Sequence, residues 1–260
     1  MEAWTLAVAL AEATSRITIA HTTLCEAFRH PPVLAKQAAL LAEISGGRFL
    51  LSLGAGWFER EYEAYGLPFC SHRDRILRAR EAMVIIKRLW EEDVVDFKGR
   101  FYSVEKGVLE PKPSPRPPIW YAGMSGPSRE LVAQVAEGWL MAGGTLEEVG
   151  RNVEDMLERL AREGRDKIDM AVPGLAFIRE KDREAEELVE RLTGGNKKVL
   201  DRTLDTGLVG SPLAVAQKVK ALDERGVDHV LFQLTPTLKE LDRLKDVLVL
   251  LGKGDNKKGA

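Results

Sequence analysis

Apolar and polar residues alternate between two rhythms along this chain, and the switching between them predicts its elements. Thr5 to Ser15 is rich in Ala and Leu and reads as a helix, and Ile17 to Cys25 reads as a strand. Pro31 and Pro32 open a helix that runs through about Ile44, where Ser45-Gly46-Gly47 stops it; proline in and glycine out is the usual order. Phe49 to Leu53 reads as a buried strand ending in Gly54-Ala55-Gly56-Trp57. Between Asp74 and Glu92, Ile76, Leu77, Ala79, Met83, Ile86 and Leu89 fall on one helix face. Residues 94–104, turning at Lys98-Gly99, predict a small hairpin inserted outside the main repeat. Pro111, Pro113, Pro115, Pro117 and Pro118 make an extended connector into a short apolar strand, Ile119 to Ala122.

An amphipathic helix follows that strand at once, then a short strand at Trp139 to Ala142 and a charged helix from Leu146 to Glu163. A strand from Ala171 to Ile178, a helix from Asp182 to Leu192 and a loop from Thr193 to Lys198 come next. Ser211-Pro212 caps a helix to about Arg225, and His229 to Leu234 is the last strand. The domain is expected over 1–252, with 253–260 a flexible Lys/Gly-rich tail. Repeated strand-then-helix units imply a mostly parallel sheet. The count gives six core strands, near residues 17, 49, 119, 139, 171 and 229. A (β/α)8 barrel needs eight, and this chain opens on a helix. An open doubly wound sheet is the alternative, although a G-x-G-x-x-G turn followed by an acidic residue is missing.

The first candidate chemistry lies in Gly123-Met124-Ser125-Gly126-Pro127-Ser128. Small residues let a ligand approach the backbone, and free N–H groups at a helix start attract an anion, so this turn reads as a phosphate cradle. A plain strand-to-helix turn with Ser125 or Ser128 as N-cap is the competing reading. A net charge of −2 and a pI near 6.2 give no overall attraction to nucleic acid or an anionic membrane, which leaves a small-molecule substrate or a second copy of the chain as partners. Cys25 and Cys70 form no ligand cluster, so neither a disulfide scaffold nor a metal site is expected. No apolar run is long enough to span a bilayer, and Met1-Glu2-Ala3-Trp4 lacks the basic start of a secretory signal. A cytoplasmic location is the expectation.

Taken in order, several segments resemble the bacterial-luciferase-like flavin or deazaflavin oxidoreductases. They are Phe28-Arg29-His30-Pro31, Ile44-Ser45-Gly46-Gly47-Arg48, and Leu53-Gly54-Ala55-Gly56-Trp57-Phe58-Glu59-Arg60-Glu61-Tyr62 with Tyr65-Gly66. Leu89-Trp90, Phe97-Lys98-Gly99-Arg100-Phe101-Tyr102 and Glu110-Pro111-Lys112-Pro113 follow, and Val209-Gly210-Ser211-Pro212 with Gly226-Val227-Asp228-His229-Val230 closes the match. The resemblance implies an α/β fold of the (β/α)8 TIM-barrel type, a cofactor that is FMN or coenzyme F-420, and a homodimer. It implies an oxidoreductase that moves hydride to or from a small organic substrate, or monooxygenates it. The cofactor phosphate would sit on Gly123, Met124, Ser125, Gly126 and Ser128, and the ring would pass Thr22 and Thr23 on one side and Gly54, Ala55, Gly56 and Trp57 on the other. In many members the matching first strand carries a non-prolyl cis peptide, here Thr22–Thr23.

Relatives usually place a strand, a helix and a second strand before the helix that starts here at Met1-Glu2-Ala3-Trp4-Thr5-Leu6, so the barrel is expected to lack its first strand–helix–strand. That departure keeps a second reading open, a non-catalytic flavin-binding or dimerisation homologue. No catalytic residue can be assigned; Trp57, Glu59 and His21 are the weak candidates. Glu59 and Glu61 could equally be helix-start carboxylates complementing the dipole, and Trp57 an aromatic cap on the core. Cys25 reads as a small buried hydrophobe rather than a nucleophile, His30 and Arg29 as scaffold groups, and Arg73, after His72, as a remote candidate for an anionic tail.

Overall fold

The computed structural model describes residues 2–235 and 238–252; the tail expected over 253–260 lies outside them. Within the described residues the chain forms two compact units, one within Met1–Leu140 and Arg159–Ile168, the other within Met141–Glu158 and Asp169–Ala260.

The first unit begins with helix α1 (Ala3–Ala13), two short strands β1 (Ile19–Ala20) and β2 (Leu24–Cys25), helix α2 (Pro31–Ile44) and strand β3 (Phe49–Gly54). All six residues of β3 are buried, as a parallel strand covered on both faces requires. Its partners are parallel: β1 and β2 on one side and β6 (Ile119–Ala122) on the other, with β7 (Gly138–Leu140) beyond β6. Cys25 is in register with Gly54, Gly54 with Ala122, and Ala122 with Leu140, so the C-terminal ends of four strands line up.

Helices α3 (Glu59–Ala64), α4 (His72–Glu91) and α5 (Gly126–Val135) complete the unit with the antiparallel hairpin β4 (Val95–Lys98) and β5 (Ser103–Gly107), which stands apart from the parallel sheet as predicted. The α4 face read from the sequence is the face that packs: Ile76, Ala79, Met83, Ile86 and Leu89 are buried, and Trp90 donates to the Ala35 carbonyl of α2 at 3.0 Å. Gly46 and Gly47, with φ of +62° and +82°, end α2 in the left-handed region that side chains avoid.

The predicted continuous strand from Ile17 to Cys25 is corrected to two pieces. His21–Thr23 leave the ladder because His21 turns to α1, stacking on Trp4 with ring centroids 5.7 Å apart; the Thr22–Thr23 peptide is cis.

Helix α6 (Leu146–Arg162) has its last turn counted with the first unit and the rest with the second. In the second unit, β8 (Asp169–Ile178) pairs in parallel with β10 (His229–Gln233) and with β9 (Leu208–Gly210). Helices α7 (Asp182–Leu192), α8 (Lys197–Thr206), α9 (Pro212–Asp223) and α10 (Leu238–Gly252) surround a core of Ala176, Ile178, Leu208, Val215, Ala216 and Val247. The six predicted strands are all present, and β9 is an additional parallel one. The predicted loop over Thr193–Lys198 ends two residues early, where Asn196 caps α8 by accepting from the Val199 amide.

Candidate functional site

The aligned C-terminal ends of β2, β3 and β6 bring together the segments that the sequence singled out. Thr23 lies over Gly54: a Cβ on Gly54 would come within 2.7 Å of the Thr23 hydroxyl oxygen, so only glycine lets the two strands close here. Gly56 sits at φ +74°, and a side chain there would collide with the Tyr62 hydroxyl and the Cys25 sulfur. The Gly54–Trp57 turn is held from behind by two residues that sequence reasoning missed. Tyr62 donates its hydroxyl to the Ala55 carbonyl at 3.0 Å, and the Cys25 sulfur lies 3.0 Å from the Tyr62 hydroxyl oxygen. Arg75 donates to the carbonyls of Gly56 at 3.2 Å and Cys70 at 2.5 Å, and stacks over Phe69 at 3.9 Å. A charged residue on the apolar face of α4, next to Ile76, was the available signal.

The turn after β6 carries the N-cap that one of its two readings expected. Ser125 is an N-cap, accepting from the Ser128 amide at 3.3 Å and meeting its hydroxyl at 2.9 Å. Pro127 has no N–H, and the Arg129 amide bonds the Ser125 carbonyl, as a helix start requires. The first helical position, Gly126, is left with no intrahelical acceptor for its amide, and nothing lies within 4 Å of where a Cβ would stand. Gly123 folds tightly against the helix: a Cβ would be 2.7 Å from the Ser128 Cβ and hydroxyl oxygen. Its carbonyl accepts from Trp139 at 2.9 Å. Arg129, a further missed residue, donates to the Met124 carbonyl at 3.0 Å and carries a positive charge to the turn. An open amide, two hydroxyls and a guanidinium suit a phosphate ester.

Beside Thr23 opens a cavity of about 740 Å³. Cys25, Phe28, Arg29, Tyr65 and Leu67 contribute to its walls. Phe28 packs on Tyr62 and Tyr65, with ring centroids 5.4 and 6.0 Å away. Arg29 pairs with Glu2, whose pKa is lowered to about 2, chiefly by hydrogen bonds from Thr5. Behind this wall the fully buried Glu26 accepts from Arg78 at 3.0 Å and from the Tyr102 hydroxyl. Burial pushes the Cys25 thiol up, which keeps it protonated at neutral pH and fits a hydrogen-bonding rather than a nucleophilic role.

The weak catalytic candidates separate. His21 stands next to Thr22, but its ring nitrogen bonds the Ala3 carbonyl at 3.1 Å, and burial lowers its pKa. Trp57 is 84% exposed, with its ring tilted against that of Phe58 at a centroid separation of 5.4 Å. Glu59 opens α3 in solvent, with Glu61 in the same first turn. His30 precedes α2 without a side-chain cap and meets the Tyr102 ring at 5.5 Å, while His72 and Arg73 are exposed at the start of α4. Among the described residues, no group of three or more His, Cys, Asp or Glu could hold a metal ion.

A parallel α/β sheet that gathers a glycine-rich turn, a helix N-terminus and an adjoining cavity at the C-terminal ends of its strands is the arrangement of an α/β enzyme that binds a phosphate-bearing cofactor. The chain belongs to the luciferase-like monooxygenase family, whose model matches residues 1–203. It is 26% identical over 265 residues to an FMNH(2)-dependent dimethylsulfone monooxygenase of Pseudomonas putida, covering 88% of this chain and 72% of that protein. Its fold is that of an F-420-dependent secondary alcohol dehydrogenase solved with an F-420–acetone adduct (TM-score 0.84, 20% identity, 96% of this chain and 84% of that one). An EDTA monooxygenase from Chelativorans sp. BNC1 has the same fold (TM-score 0.82, 18% identity, 98% and 78% covered). The fold class expected from the sequence, the luciferase-like barrel type, is thereby established.

Proposed function

We propose that this protein is an oxidoreductase that binds FMN or coenzyme F-420 across the C-terminal ends of β2, β3 and β6 and reduces, oxidises or monooxygenates a small organic substrate. The observation that carries this reading is the register of those strands together with the contact of Thr23 on Gly54, which sets Thr23, Gly54–Trp57 and Gly123–Ser128 along one edge in a member of this family. Relatives that use FMNH(2) or F-420 support the choice of cofactor.

In this reading Ser125, Gly126 and Ser128, with Met124 and Gly123 shaping the turn, hold the phosphate, and Arg129 offsets its charge. Thr22, Thr23, Gly54, Ala55, Gly56 and Trp57 flank the ring. Bound there, the deazaflavin would supply hydride chemistry, or the reduced flavin oxygen chemistry. The protein's contribution is orientation and shielding: Tyr62 and Arg75 fix the ring-side turn, and Phe28, Tyr65 and Leu67 give the substrate cavity an apolar wall. Trp57 and Glu59, on the exposed turn after β3, are the candidate side chains for substrate in this reading, whereas His21 is committed to α1.

Two free cysteines fit a reducing, cytoplasmic setting, and no described helix is long and apolar enough to cross a membrane. Helices α1 and α2 keep Leu6, Leu10, Val33 and Leu40 at least 41% exposed, which favours a homodimer that covers them. Titrating the purified protein with FMN and with F-420, followed by fluorescence and thermal shift, tests the reading. Saturable binding of one cofactor is expected and selects the branch; a folded protein that binds neither overturns it.

A further inference from the structure

The fully buried side chain of Tyr121 is used by nothing described so far. It stands on β6 two residues before Gly123, and its ring edge would lie 3.4 Å from a Cβ on that glycine, so the ring forms the floor of the turn. Its hydroxyl is buried without a hydrogen bond of normal geometry. It rests against the Ser128 side chain and the Ala55 backbone, which only partly offset the rise in its pKa from burial. A buried hydroxyl lacking a good partner is destabilising and calls for a reason. Packing alone supplies none, because phenylalanine would fill the same volume without that cost.

The neighbours of this hydroxyl supply the reason. Ser128 belongs to the cradle after β6, and Ala55 to the ring-side turn after β3, so the Tyr121 oxygen stands where the two halves of the cofactor site meet. Ser128 Oγ bonds Ser125 at 2.9 Å, and Tyr121 reaches it only outside normal hydrogen-bond geometry. The Tyr121 phenol also stays protonated at any physiological pH, because burial raises its pKa, and a protonated phenol is a donor. A donor waiting beneath a turn of open amide and hydroxyl groups lacks one thing, an anionic acceptor.

We infer that Tyr121 is a cofactor-binding residue that completes the cradle by donating its hydroxyl to the cofactor's phosphate. The inference rests on the proposed cofactor reading and adds a residue that selects for the phosphorylated form. The structure thus keeps an imperfectly bonded hydroxyl in the free protein and satisfies it on binding, by a charge-assisted bond that the cofactor lacking phosphate cannot offer.

Tyr121→Phe removes one oxygen atom and tests this with two readouts of opposite sign. The melting temperature of the cofactor-free variant is expected to equal or exceed that of the wild type, by up to about 12 °C. Its affinity for FMN is expected to fall about tenfold or more, the range of hydrogen bonds to charged groups. Affinity for riboflavin, measured by competition, stays within about twofold on the same argument. If the protein takes F-420, the same pair is that cofactor and its phosphate-free deazaflavin nucleoside. Unchanged affinity for the phosphorylated cofactor overturns the inference, as does an equal loss for both forms, which would place the hydroxyl at the ring. A lower melting temperature overturns it too, since the hydroxyl would then serve the fold. If the folded wild type binds neither FMN nor F-420, the cofactor reading itself falls and this inference with it.

Discussion

Replacing Glu26 by alanine should destabilise the protein more than most single changes, and the structure says by how much. Glu26 follows β2 with no solvent exposure and receives Arg78 at 3.0 Å and the Tyr102 hydroxyl, joining α4 and the hairpin to the wall of the cavity. Arg78 is itself only 11% exposed, and one of its terminal nitrogens is buried without a partner, so Glu26 carries most of its neutralisation. Breaking a buried pair by removing one member costs about 3–5 kcal/mol. The residual exposure of Arg78 places this case near the lower end, about 3 kcal/mol, or roughly 6–12 °C in melting temperature. Denaturant unfolding of Glu26→Ala measures the loss. Adding Arg78→Met to that variant should recover most of it, because the stranded charge goes and apolar volume takes its place. A single variant within about 1 kcal/mol of wild type, or a double variant no better than the single, would refute the assignment. The pH dependence gives a second check. Burial raises the Glu26 pKa above its ordinary 4.5, so between 4.5 and the raised value the folded chain holds more protons than the unfolded one, and this residue's contribution falls as pH rises. The stability of wild type relative to Glu26→Gln should therefore decline from pH 4.5 upward; a gap that widens with pH contradicts it.

Two more perturbations separate site from scaffold. Gly123→Ala sets a Cβ 2.7 Å from fixed atoms of Ser128 and should cost about 1–3 kcal/mol of stability along with cofactor binding, whereas Gly126→Ala meets open space and should leave the fold within about 0.5 kcal/mol. Melting curves of the two variants, equal in midpoint, would contradict this. Burial lowers the His21 pKa below 6.5, so the unfolded chain holds the extra proton and stability is lost as pH falls below that value. His21→Phe, which keeps a ring against Trp4, should flatten the slope of stability as pH falls below 6.5, and an unchanged slope would show that another group carries it.

The sequence was most legible where local rules and tertiary packing agree. Proline and glycine bracket α2, and the apolar stripe of α4 is the buried face. The glycine-bearing turns after β3 and β6 were likewise visible, because small residues at a strand end mark a tight strand-to-helix turn. What was hidden depends on partners distant in the chain. The predicted strand over 17–25 breaks because His21 finds Trp4 and Ala3, neither of which periodicity can foresee. Strand β9 is three residues long and leaves no periodic trace, and α8 buries no residue fully, so no core-forming stripe marks it. Tyr62, Arg75, Arg129 and Tyr121 support the site through contacts between elements, and each taken alone reads as an ordinary core or surface residue.

The central claim, that the turn after β6 holds a cofactor phosphate, is tested most directly by titrating FMN or F-420 into Ser125→Asp and Ser125→Asn side by side. Both side chains are good N-caps, so both variants should fold like the wild type. The aspartate sets a negative charge against the phosphate, worth up to about 4 kcal/mol per unit charge at 4 Å, and even after solvent screening should weaken binding tenfold or more relative to the asparagine. Equal affinity in the two variants would place the phosphate elsewhere and contradict the account.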